Sequence, residues 1–143
     1  IRHTDDDLPV GSAAWQLLPE LHVPAAAVYL DKTACNAFYR TALAAQLAEW
    51  HCRDLTICGC TTDYCVDSTI KAAAALDYRV TVAADAHTTG DRLPIAADVL
   101  IAYYNDLWAH LILPDNPVRV RRSDSIIAAW QTSPEPAGVA QKR

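Results

Sequence analysis

A chain of 143 residues, 52% hydrophobic and 20% charged, carries enough apolar side chains for one ordinary core and is neither disordered nor membrane-embedded in composition. A net charge of -5 leaves no basic footprint for nucleic acid, and the one cationic cluster, Arg119, Arg121 and Arg122, alternates like the solvated face of a strand. No apolar run approaches the roughly 20 residues needed to cross a bilayer, and five cysteines, an odd number in a chain with ample apolar residues, suit a reducing, cytoplasmic setting better than a disulfide framework.

Ile1-Arg2-His3 reads as the end of a strand running into the acidic loop Thr4-Asp5-Asp6-Asp7. Val10-Gly11-Ser12 is a turn signal, and the apolar stretch over 12–21 around Trp15 is kept short by Pro19 and Pro24. Residues 25–30 are a compact apolar run that predicts a strand buried on both faces, which places Lys32 at its carboxyl end. A helix is predicted over 37–50, with Asn36 or Thr41 as cap and Leu43, Leu47 and Trp50 sharing one face.

The run 55–58 predicts the next strand, and Val66, Ile70, Ala73 and Ala74 recur at helical spacing up to Leu76. A strand over 79–84, a loop from Asp85 to Gly90, a helix from Pro94 to Trp108, a short strand at 118–120 and a helix from Ser123 through Trp130 complete the domain. Residues 131–143, polar and carrying Pro134 and Pro136, are expected to form a flexible tail after a domain spanning 1–130.

Strands alternating with helices predict a three-layer α/β/α fold with a parallel, Rossmann-like sheet, whose sites form at the carboxyl ends of strands. Lys32, the turn from Gly59 to Cys65 and the stretch from Asp85 to His87 fall at such ends. Cys65 follows the strand and opens the helix, where unpaired backbone N–H groups and the helix dipole favour an anion and hence the reactive thiolate. By residue type a small buried apolar side chain is the commoner reading, and Gly59, Thr61, Thr62 and Asp63, which can fix a tight turn, make the two readings equal on spacing. His51, Cys52, Cys58, Cys60 and Cys65 lie close in sequence, but no Cys-x-x-Cys pair with a matching second pair appears, so no metal site is expected.

Four ordered stretches resemble the isochorismatase-like cysteine hydrolases, the superfamily of nicotinamidases, carbamoylsarcosine amidases and maleamate amidases. They are Pro9 to Trp15; Lys32 to Phe38 with Thr41 and Leu43; Gly59 to Val66 with Thr69, Ala73 and Tyr78; and Val80 to Thr89. The resemblance implies a Cys65 nucleophile with Lys32 as the cation beside it. It also implies a cis peptide between Cys60 and Thr61, and an oxyanion hole made by the backbone N–H groups of Thr61 and Cys65. The implied reaction is hydrolysis of a C–N bond in a small amide-like substrate through a thioester.

The same resemblance argues against a Cys-His-acid arrangement using His87 and Asp85, since this class uses no histidine base. Nicotinamidases hold a metal through an Asp-x-His cluster, but Ile1 to Leu8 does not reproduce that spacing, so neither metal nor cofactor is expected. Trp15, Phe38 and Tyr64 are candidate linings of the substrate pocket. A homo-oligomer is expected from the family habit and from Tyr103, Tyr104 and Trp108 on one helix.

The family's catalytic aspartate stands at the end of a first, central strand, and no residue of this sequence matches it. A preceding segment of about 30 to 45 residues, a strand with a helix and loops, is therefore expected. The competing expectation is a non-catalytic relative serving as an oligomeric binding or scaffold protein.

Overall fold

The alternation in Arg79-Val80-Thr81-Val82 suits a pleated strand with one buried row. In the computed structural model, which describes residues 1–132, these residues begin β4 (Arg79–Thr88), the middle of a three-stranded sheet between β3 (Asp54–Cys60) and β5 (Arg119–Arg121). Both pairings are parallel. A second parallel pair joins β1 (Arg2–His3) to β2 (Asp31–Lys32), with His3 opposite Lys32. Helices α1 (Leu43–Glu49), α2 (Asp67–Ala75), α3 (Ala97–Ala109) and α4 (Ser123–Thr132) flank these strands, so the chain has the expected parallel α/β architecture.

Val80 and Val82 share one core with Ile70, Ala73 and Ala74 of α2, Trp108 of α3, Leu47 of α1, Tyr78 and Val118. The two alanines let α2 approach the sheet closely. Trp108 is wholly buried, and its indole N–H donates to Asp67 Oδ1 at 2.9 Å, which removes the penalty of an unpaired buried donor.

Several boundaries differ from the sequence expectation. Residues 25–30 form no strand: Val28 and Tyr29 are half exposed, and β1 supplies only two residues for pairing, so the ladder is confined to Asp31–Lys32. The helix expected over 37–50 is shortened to α1, because Arg40 takes a left-handed φ of 53° that no helix accommodates, and Trp50 is exposed rather than sharing the buried face of Leu47. Asp85 to His87 belong to β4, not to a loop. Pro94 precedes α3 instead of opening it, since Asp91 Oδ1 accepts the Ala97 N–H at 2.9 Å and Arg92 pairs with Ile95 ahead of the helix.

Of the three aromatics on α3, Trp108 lies in the core and Tyr103 is 57% exposed, so they do not make one common surface. Helix α4 takes in Gln131 and Thr132 of the expected tail, and the remainder of that tail lies outside the described residues.

Ile70 is fully buried at the contact of α2 with β4. Ile70→Ala is expected to lower stability by about 2–5 kcal/mol, read from the midpoint and slope of urea denaturation. A midpoint unchanged from the parent chain would place the core elsewhere.

Candidate active site

Lys32 is only 6% exposed, and a cation so buried needs acceptors on every N–H. It has three: Ala34 O at 2.8 Å, Cys65 Sγ at 3.1 Å and His3 Nδ1 at 3.3 Å. Among the described residues no carboxylate lies within salt-bridge distance of it, so the sulfur is the partner that can carry the opposite charge.

The direction of these bonds assigns a tautomer. Ammonium donates and never accepts, so His3 Nδ1 presents its lone pair and the ring proton sits on Nε2, donated to Asp5 Oδ2 at 2.9 Å. Parallel pairing sets this up, since β1 and β2 bring His3 beside Lys32 and the Thr4 N–H donates to Lys32 O at 2.9 Å.

Cys65 arrives from the other side of the site. Gly59 has φ +128°, a conformation that favours glycine, and the space where a Cβ would stand is open, so the backbone alone accounts for the residue there. The Cys60–Thr61 peptide is cis. Thr61 O then accepts the N–H groups of Tyr64 at 3.2 Å and Val66 at 3.1 Å, and Thr62–Val66 forms a π-helical turn leading into α2. Thr69, on α2, fixes the loop after Lys32: its Oγ1 accepts the Ala37 N–H at 3.1 Å and donates to Cys35 O at 3.4 Å.

Thr62 is buried beneath this turn and tied to His87. The β3–β4 ladder shifts register between Ile57 and Gly59, which moves the partner from Val82 to His87 and lets the imidazole reach Thr62. Asn105 Nδ2 donates to Ala84 O at 3.0 Å, so its Oδ1 faces His87 Nε2 at 3.0 Å and accepts that proton. His87 Nδ1 then accepts from Thr62 Oγ1 at 2.9 Å. Both ring nitrogens are used, and neither reaches the thiol. Asp85 instead accepts the N–H and hydroxyl of Ser123 at the start of α4. The Cys-His-acid arrangement is thus not assembled.

A second set of polar contacts brackets the turn. Asp63 accepts Thr89 Oγ1 at 2.6 Å and Arg92 Nε at 2.8 Å, and the Arg92 guanidinium lies 5.2 Å from the Tyr64 ring. Burial pushes the Asp63 carboxyl up, but the hydrogen bonds from Thr89 and Arg92 together with the Arg92 charge outweigh it and hold the group below the usual carboxylate range. The Cys35 thiol is pushed up by burial and by the neighbouring Cys65, and Cys60 is raised by the same two causes. Among the described residues no three His, Cys, Asp or Glu side chains gather as a metal-binding group.

The model of the Isochorismatase domain matches residues 1–104. The chain belongs to the isochorismatase family. It is 34% identical over 84 residues to a streptothricin hydrolase of Streptomyces noursei, a match covering 56% of this chain and 30% of that protein. A crystal structure of an isochorismatase family protein superposes with a TM-score of 0.77 at 31% identity, covering 84% of this chain and 69% of the other. An isochorismatase from Pseudomonas putida gives 0.71 at 26% identity, with coverages of 87% and 65%. The chain thus spans less than a third of the streptothricin hydrolase and about two thirds of these two structures.

In this family member a cavity of about 290 Å³ lies between Lys32 and β3, with Phe38, Leu55, Ile57, Cys60 and Cys65 in its walls. Of the aromatics expected to line a substrate pocket, Phe38 does so here. Trp15 stands outside the cavity, its ring covered by the Arg2 guanidinium at 3.5 Å, and Tyr64 is half exposed beside Arg92. The sequence reading missed the pairings of His3 with Asp5, His87 with Asn105 and Asp63 with Arg92, and of these only the two-residue spacing of His3 and Asp5 is a local signal.

The depressed Asp63 carboxyl carries a sign. Its contribution to stability is present above the unfolded-state value and is lost as pH falls through the lower folded-state value. Asp63→Asn is therefore expected to flatten the acid limb of stability over about pH 2–5, followed by urea denaturation. An acid limb identical to that of the parent chain would show that this cluster adds nothing.

Proposed function

We propose that this isochorismatase-family chain is a cysteine-dependent hydrolase that cleaves a C–N bond of a small amide-like substrate through a thioester. The observation that carries this reading is the 3.1 Å contact between the buried Lys32 ammonium and Cys65 Sγ at the wall of a cavity of about 290 Å³. A cation with no carboxylate partner among the described residues, set beside a thiol, favours the thiolate, the nucleophilic form of cysteine. The volume suits a small molecule.

The thiolate of Cys65 attacks the substrate carbonyl, and the backbone N–H groups of Thr61 and Cys65 are the expected donors to the oxygen that becomes negative. Collapse of the tetrahedral adduct breaks the C–N bond, and the nitrogen leaves as an amine or ammonia after taking a proton. Water then adds to the thioester carbonyl, releasing the carboxylic acid and returning the thiolate. The streptothricin hydrolase relative supports hydrolysis as the reaction type.

A panel of small primary amides, carbamoyl compounds and lactams, scored by release of ammonia or amine, tests the reading. Cys65→Ala is expected to lower turnover of any accepted substrate by about a thousandfold or more, and Lys32→Ala by about a hundredfold. Turnover that survives Cys65→Ala would end the proposal.

A further inference from the structure

Lys32 has a long flexible stem, and an ammonium can spin about its last bond, so the contact with Cys65 persists only if other acceptors hold the remaining N–H groups. One is the backbone oxygen Ala34 O. The other is a side chain, and the chain of bonds behind it ends in backbone. Asp5 Oδ1 accepts the N–H groups of Asp7 at 3.0 Å and Leu8 at 2.9 Å, while Thr4 Oγ1 donates to Leu8 O at 2.9 Å. That turn leaves Asp5 Oδ2 facing His3 Nε2, and the hydrogen bond from His3, followed by that from Leu8, holds the Asp5 carboxyl below its ordinary range, so it remains a charged acceptor.

We propose that His3, braced by Asp5, is a positioning residue for the Lys32–Cys65 pair: its Nδ1 lone pair takes one ammonium N–H and thereby aims another at the sulfur. The order along the path is turn backbone, Asp5, His3, Lys32, Cys65. Among the described residues the titratable groups facing the sulfur are Lys32, Cys35 and Cys60, with His3 and Asp5 behind Lys32, and the Ile1 amine, which interacts with Lys32, belongs to the same cavity wall. Burial raises both Cys35 and Cys60, and Lys32 is the cation in hydrogen-bond contact with the sulfur.

The inference rests on the nucleophile reading above, and the test separates the two. Alkylation of Cys65 by iodoacetamide, followed by peptide mass spectrometry across about pH 6–10, reports thiolate without needing a substrate. In the full chain, His3→Ala and His3→Gln are expected to slow alkylation about tenfold near neutral pH, with the deficit closing at the alkaline end. His3→Asn, whose amide oxygen reaches the place of Nδ1, should recover most of the rate. Lys32→Ala should be at least as slow as His3→Ala.

Parent-like rates in His3→Ala alongside slow Lys32→Ala would overturn the role of His3 alone. Failure of His3→Asn to recover, or a deficit equal at every pH, would reduce His3 to a structural contact and likewise overturn the proposal. Parent-like rates in Lys32→Ala would instead remove the pairing on which the hydrolase reading stands. Urea denaturation of each variant identifies any loss that comes from unfolding, and His3→Asn at parent stability keeps the comparison decisive.

Discussion

Removing the Lys32 ammonium from water costs several kcal/mol unless its N–H groups are all engaged and an opposite charge stands near. Much of the local architecture answers that requirement. β2 ends at Lys32, the loop beyond it turns back to offer Ala34 O, and β1 brings up His3, while the turn after β3 delivers a sulfur at 3.1 Å. A carboxylate in the sulfur's place would neutralise the lysine as a simple ion pair. With a thiol there, the buried cation and the sulfur proposed as nucleophile face each other directly, so the burial of Lys32 and the placing of Cys65 are one arrangement seen from two ends.

The turn carrying Cys65 is held from below by a hydroxyl, an imidazole and an amide and from the side by an ion pair. Thr62, His87, Asn105 and the carbonyl of Ala84 form a line in which each donor has one acceptor, closed off by the Trp108 edge 5.1 Å from the imidazole. Such a line is rigid because any reversed donor leaves a buried group unpaired. At the side, Asp63 gathers Thr89 and Arg92. The cysteine is therefore placed by contacts that leave its sulfur free toward Lys32 and the cavity.

The parts legible in the sequence were those whose cause is local. Alternating valines in β4 and helical spacing of Val66, Ile70, Ala73 and Ala74 report burial directly, and the position of Cys65 at a strand-to-helix junction follows from them. Residues 25–30 misled because an apolar run reports only a wish to be covered. Whether it becomes a strand depends on the partner, and β1 offers two residues. Pro94 misled in a similar way, since its fixed φ suits a first helical turn but Asp91 starts the helix three residues later. The polar pairings were hidden for another reason: Thr62 and His87, or Asp63 and Arg92, are chosen by the register shift and by loop closure, neither of which leaves a periodic trace.

The two sides of the site are fastened to the fold differently. Cys65 is fastened to the main core through Val66 and Ile70, whereas Lys32, His3 and Asp5 hang on a ladder of two paired positions and on the Arg2 guanidinium laid over Trp15. Amide hydrogens of β1 and β2 should thus exchange through a sub-global opening far cheaper than unfolding of the β3–β4–β5 unit. The contacts around the thiol would be lost in that opening while the core stayed intact, so the loosening of Lys32 from Cys65 and the melting of the fold would be separate events in this chain.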